Sequence, residues 1–201
     1  MKLEDLPQMI RAALAEHTPA VITSREGPYR RAAVLIPLFQ ANGEYRILFT
    51  KRTNRVEAHK GQISFPGGGV DEGDASEEET ALREAEEEIG LSREDVEVLG
   101  RTDDALTVVS NYIVHPFVGL IPHPYEFKIN PREVDRILEV PFSVFLPQPG
   151  GDKILPVQYE GGVFEGLAYT HGGDVIWGAT ARIMKNFMLI LAEKMGLPAG
   201  P

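Results

Sequence analysis

The chain has 201 residues, 43% hydrophobic and 25% charged, which fits a single domain over residues 1–201 with a substantial core. A formal net charge of −10 argues against a general nucleic-acid or anionic-membrane binder, so neither partner is expected. The absence of cysteine removes disulfides, thiol nucleophiles and cysteine–zinc sites.

Residues 1–25 read as an N-terminal helical extension, with an amphipathic helix from about Leu3 to Glu16. The start "MKLEDLPQMI" carries acids where a secretory signal would be basic and then apolar, and no apolar run approaches a bilayer span. A cytoplasmic location is therefore expected. "RRAAVLIPLFQ" reads as a buried strand, and "ANGEY" as an Asn-Gly turn into the strand "YRILFTKR". "QISF" is a short strand, followed by Pro66 and three glycines that let the backbone approach something closely.

A helix follows, with Ser76 and Glu79 as a capping box and Gly90 as its stop. "DVEVLGR" and "YIVHPFVGLI" read as further strands, and "PREVDRILEV" as about two turns of helix opened by a proline. "KILPVQYEGGVFEGLAYT" reads as a hairpin turning at Gly161-Gly162. The last helix runs from about Gly178 to Met195, preceded by Trp177, the only tryptophan. The expected fold class is α/β (α+β), a mixed sheet sandwiched between helices.

The helix that opens at Ser76 is unusual in its acids. Glu77, Glu78 and Glu79 sit in the first turn, where the macrodipole favours negative charge. Glu86, Glu87 and Glu88 crowd the last turn, where it does not, and Glu84 with Glu88 is an i,i+4 like-charge pair. Glu84, Glu87 and Glu88 then converge at the rim of the apolar face formed by Ala81, Leu82, Ala85 and Ile89. Local rules broken without local compensation point to a functional site; the alternative is a solvated acidic face.

Carboxylates without His or Cys suit a hard divalent ion, magnesium or manganese, which can bridge phosphate oxygens. Lys51, Arg52, Arg55, His59 and Lys60 lie just upstream and form a basic patch suited to a phosphate-bearing small molecule, or else a solvated basic loop. A P-loop, H-E-x-x-H and G-x-S-x-G are absent, and "DEGDASEEE" lacks the oxygens a calcium loop requires.

The segment from Gly69 to Leu91 resembles the Nudix box, G-x5-E-x7-R-E-U-x-E-E-x-G-U, with U aliphatic. Gly69, Arg83, Glu84, Glu87, Glu88, Gly90 and Leu91 match in register, and Ala85 takes the first U position. The early glutamate position holds Ala75, with Asp74 one residue before it. The resemblance implies a Nudix fold, with Glu84 and Glu88 as principal metal ligands and Glu87 as an additional one. Arg83 becomes an orienting residue that could pair with Glu79 or Glu87. Glu133 becomes a candidate to complete metal binding or act as base, against the plainer role of a helix-start glutamate.

"LFTKRTNRVEAHKGQISFPGG" is similar to the segment preceding the box in the coenzyme A pyrophosphatases of this superfamily. Thr50, Arg52, His59, Gly61, Gln62, Phe65, Pro66, Gly67 and Gly68 match, while Glu57 replaces an arginine of the pattern. "VHPFVGLI", "EVDRILEVPF" and "IWGATARI" are also similar to segments of that subfamily. The resemblance implies an Mg2+- or Mn2+-dependent diphosphatase that cleaves CoA or a CoA derivative to adenosine 3′,5′-bisphosphate and a 4′-phosphopantetheine product. Arg52, Arg55, His59, Lys60, Gly67 and Gly68 are then the substrate-binding candidates. ADP-ribose, NADH or a dinucleoside polyphosphate is the alternative substrate, and a catalytically silent nucleotide-binding module the alternative class. A homodimer is left open.

Overall fold

The computed structural model describes residues 5–23, 29–53, 60–107, 110–147, 152–159 and 162–195. In chain order these form α1 (Leu6–Glu16), β1 (Arg30–Ala41), β2 (Glu44–Arg52), β3 (Ile63–Ser64), β4 (Gly67–Gly69), α2 (Glu77–Ile89), β5 (Glu97–Arg101), β6 (Ala105–Leu106), β7 (Tyr112–Leu120), β8 (Val134–Pro141), β9 (Ile154–Tyr159), β10 (Gly162–His171), β11 (Asp174–Trp177) and α3 (Gly178–Met195). Among the described residues no helix is long and apolar enough to cross a membrane.

β1 organises the main sheet because it is apolar on both faces. Ala32, Ile36 and Leu38 enter one core with Ile47 and Phe49 of β2, Leu6, Ile10 and Leu14 of α1, and Met184, Phe187 and Leu191 of α3. Ala33, Leu35, Phe39 and Ala41 enter the other with Leu48, Phe117 and the Ala81–Ala85–Ile89 stripe of α2. A strand buried on both faces reads as a continuous apolar run, as "AAVLIPLF" does. The sheet is mixed. β1 runs parallel to β7 from Arg30 to Leu38, and antiparallel to β4 through Ala32–Val34 and to β2 through Leu38–Ala41. The β1–β2 turn falls on Asn42-Gly43, both at positive φ (53° and 78°), the pairing that suits a tight hairpin. β9, β10 and β11 form a second antiparallel sheet in the order β11-β10-β9.

The helix expected over "PREVDRILEV" is a strand instead. Pro131 lies in a turn closed by the Asn130 carbonyl, which accepts from the amides of Glu133 and Val134. β8 then pairs antiparallel with β2 from Arg46 to Arg52 and buries Val134, Leu138 and Val140. Val134, Ile137 and Val140 are β-branched, and a waiting sheet edge outweighs the proline signal. Glu133 is accordingly a turn residue and not a helix-start glutamate. The "KILPVQYEGGVFEGLAYT" hairpin forms as β9–β10, with Gly162 opposite Tyr159; residues 160 and 161, at its tip, lie outside the described residues. The short strand β6 and the turn at Gly172-Gly173 have no counterpart in the sequence reading.

α1 docks on β5 across a glycine. A Cβ built on Gly100, which sits at φ +150° beside a register shift, would lie 2.7 Å from Leu14 Cβ. Gly100→Ala is therefore expected to destabilise the protein by about 1–3 kcal/mol, the cost of overpacking a fitted contact. A urea titration with an unchanged midpoint would show that α1 yields there without cost.

Candidate active site

Ser76 caps α2 through its Oγ, which accepts from the Glu79 amide at 3.2 Å, and Glu79 Oε2 reaches back to the Ala75 amide at 2.8 Å. At the other end Gly90 adopts φ +68°, and its amide donates to Glu86 O at 2.9 Å. The helix end is then covered by a passing segment: the Lys128 amide donates to Ile89 O at 2.9 Å and the Asn130 amide to Glu88 O at 2.8 Å. Carbonyls that would repel the last-turn acids are thereby engaged by donors.

Arg83 holds the N-terminal side of the site. Its Nε and Nη2 form a fork on Asp74 at 2.9 and 3.0 Å, Nη1 donates to Glu84 Oε1 at 2.8 Å, and Nη2 also donates to Gly69 O at 3.1 Å. Of the two pairings expected for Arg83, the one with Glu87 forms at 3.4 Å, whereas Glu79 faces Arg93. The Arg83 fork, with further bonds from Thr80 Oγ1 and the Asp71 amide, holds the Asp74 carboxyl well below the usual carboxylate range. Asp74 is the residue that sequence reasoning missed. Its signal was an acid one place before the position where the pattern has glutamate.

Glu84 and Glu88 face the glycine strand. A Cβ on Gly68 would lie 2.5 Å from the Glu84 carboxyl, so only glycine leaves room for that carboxylate against β4. The Gly67 amide donates to Glu88, whose side chain is only 3% exposed. Burial pushes Glu88 up to about 8; the Arg52 charge opposes this, and Glu84 and Glu133 add to it. Burial likewise raises Glu84, against the bond from Arg83 and with added repulsion from Glu87 and Glu133. Glu87 is itself largely exposed, at 58%.

Glu133 approaches from the turn before β8, its Oε1 accepting from Asn130 Nδ2 at 3.2 Å. Arg52, at the end of β2, places Nη1 3.6 Å from Glu88 Oε1. Lys60 is exposed in the turn before β3. Arg55, Glu57 and His59 lie outside the described residues.

Among the described residues no three acidic or imidazole side chains are arranged as a ready-made metal-ligand group. The donor set nevertheless suits a hard cation. The buried Glu88 and the half-buried Glu84 repel each other beside the glycine strand, and Glu88 Oε2 is a buried oxygen with no hydrogen-bond partner among the described residues.

The raised Glu88 carboxyl has a consequence for stability in chelator. The folded protein holds a proton between pH 4.5, the model-compound value, and about 8, whereas the unfolded chain has released it. Stability therefore falls as pH rises through that window, by less than about 1.4 kcal/mol per pH unit. Glu88→Gln should flatten this slope in denaturant titrations run between pH 5 and pH 8. An equal slope in both proteins would assign the effect to another group.

The chain matches the family profile described as NUDIX domain over residues 28–155. It is 39% identical over 155 residues to an uncharacterized Nudix hydrolase NudL of Photorhabdus laumondii, covering 77% of this chain and 81% of the relative. Its identity to the Yersinia pestis protein of the same name is 38% over 157 residues, 78% of this chain and 77% of the relative. Among solved structures, a MutT/nudix family protein from Enterococcus faecalis superposes with a TM-score of 0.55, covering 95% of this chain and 74% of that one at 15% identity, a likeness of fold. The helix, the glycine strand and these relatives together place the chain in the Nudix hydrolases, which cleave pyrophosphate bonds in nucleoside diphosphate derivatives and generally use divalent metal ions.

Proposed function

We propose that this chain hydrolyses the diphosphate bond of coenzyme A or a CoA derivative, releasing adenosine 3′,5′-bisphosphate and a 4′-phosphopantetheine product. The chemistry rests on one observation: the half-buried Glu84 and the buried Glu88 lie against Gly68 and Gly67 and are both raised. Such a pair gains most when a divalent cation, Mg2+ or Mn2+, relieves its repulsion. Glu84 and Glu88 are the proposed ligands, with Glu87 assisting from the exposed side. Bound there, the metal would polarise the phosphorus centre and supply a hydroxide-like nucleophile.

The chain's own groups divide the remaining tasks. Arg83 fixes the Glu84 carboxylate through Nη1 and ties α2 to Gly69 O, so the ligand oxygens keep one orientation. Gly67 and Gly68 keep the floor of the site free of side chains. Glu133, near enough to raise both carboxyls, is proposed to take the proton of the attacking water. Arg52 is proposed to meet the substrate's phosphate charge.

The substrate class is supported by the Leu48–Gly68 segment, in which Arg52, His59, Gln62 and Phe65–Gly68 fit the CoA pyrophosphatase pattern. Arg55, His59 and Lys60 complete the proposed phosphate-binding set. Glu57, where that pattern has arginine, favours a second reading: a diphosphatase acting on ADP-ribose, NADH or a dinucleoside polyphosphate.

Glu88→Gln should lower turnover by orders of magnitude at saturating Mg2+ while leaving the fold intact, as judged by circular dichroism. Near-normal turnover in that variant would remove the metal-site reading. Excess chelator should abolish activity altogether.

A substrate panel decides the rest. Hydrolysis of CoA, dephospho-CoA, NADH and ADP-ribose, read by product mass, should show CoA turnover with a raised KM. In Glu57→Arg the KM should fall about 10-fold or more with kcat little changed. A parent that ignores CoA, with no gain in the arginine variant, selects the second reading.

A further inference from the structure

Five buried side-chain polar atoms of the described residues lack a hydrogen-bond partner, and two of them belong to one ion pair: Arg52 Nε and Glu88 Oε2. The pair is made at one corner only, Nη1 to Oε1 at 3.6 Å, although a guanidinium and a carboxylate can close two parallel bonds. The geometry of β2 accounts for this. Its register against β8 shifts between Lys51 and Arg52, so the strand turns as it delivers Arg52 to the site. The Arg52 backbone is nonetheless fixed, its amide donating to Gln62 O at 2.9 Å. The side chain is thus the element free to move, and it carries a single positive charge against the carboxylates of Glu88, Glu84 and Glu133.

A divalent cation and a guanidinium compete for the same oxygens. Their like charges would repel in this largely buried site, so binding of one at Glu88 weakens binding of the other. We infer that Arg52 is an exchangeable occupant of the Glu88 carboxyl: it sits against that group until a divalent cation takes it, and the displaced guanidinium then turns to the substrate diphosphate. The inference rests on the metal reading of Glu84 and Glu88 given above, and makes Arg52 a positioning and binding residue. Metal loading and phosphate binding are coupled through it, because the cation frees the side chain that the anion needs.

The test is direct binding of Mn2+ to the substrate-free protein by titration calorimetry. Arg52→Gln removes the competing charge and should bind Mn2+ at least about tenfold more tightly, roughly 1.4 kcal/mol. Arg52→Lys keeps the charge and should bind near the parent's affinity. Equal or weaker binding by Arg52→Gln overturns the exchange and leaves the diphosphatase reading standing. Absence of any Mn2+ binding by the parent protein overturns both.

A second measurement uses the unaltered chain, so it holds if Arg52→Gln fails to fold. The Arg52 Nε–H resonance of 15N-arginine-labelled protein should be protected from solvent exchange and should lose that protection on titration with Mg2+. Protection that persists at saturating Mg2+ overturns the exchange.

Discussion

The fork between Arg83 and Asp74 is the constraint on which the site depends. One guanidinium grips the acid that precedes α2, the Glu84 carboxylate on α2 and the Gly69 carbonyl on β4. Helix, entry loop and glycine strand are thereby fixed to a single rigid plane. Lysine could not do this, because a point charge cannot present donors in several fixed directions at once. With the plane set, Gly68 falls under Glu84 and the Gly67 amide under Glu88. The acids are then held at positions that their own repulsion would reject.

What makes that repulsion tolerable lies elsewhere in the chain. The segment around Lys128–Asn130 lends its amides to the last carbonyls of α2, so the helix end carries less uncompensated negative charge than an isolated helix would. The same segment continues into the turn that brings Glu133 to the site. The close fit of Lys128 against Gly90, where an added Cβ would lie 2.9 Å from Lys128 Cβ, leaves that path little freedom. One stretch thus quiets the helix end and brings a further carboxylate beside it.

Much of this was legible in the sequence, for reasons that differ by element. α2 announced itself through Ser76, Gly90 and the Ala81–Ala85–Ile89 stripe, because caps and periodicity are local signals. Of the last-turn acids that violate the dipole pattern, Glu87 meets Arg83 and Glu88 meets β4, with Glu84 beside them, whereas Glu86 turns away to Arg93. β8 was read as a helix because Pro131 and a short charged run are local evidence, whereas its strand state comes from pairing with β2, which is distant in the chain. Glu133 was placed on the wrong kind of element for the same reason. Asp74 escaped because its importance is a matter of direction: it points into the Arg83 fork, and spacing alone does not report where a side chain points. The Arg52–Glu88 pairing joins two segments the sequence singled out separately, one basic and one acidic, and only the fold sets them 3.6 Å apart.

The parallel pairing of β1 with β7 also governs the order in which this molecule can come into being. Arg30 lies opposite Tyr112 and Leu38 opposite Leu120, while β2 lies just beyond a tight turn and β4 before α2. A nascent chain can therefore close one edge of its central strand early, but the other edge waits until the segment ending at Leu120 has emerged. Through that interval β1 presents Ala33, Leu35 and Phe39 beside unfilled backbone donors and acceptors, the kind of edge that recruits another chain. A fragment ending between Ile89 and Tyr112 contains the whole acidic helix yet keeps that edge open. The glutamates that mark this protein in sequence are thus made well before the sheet that gives them a common floor.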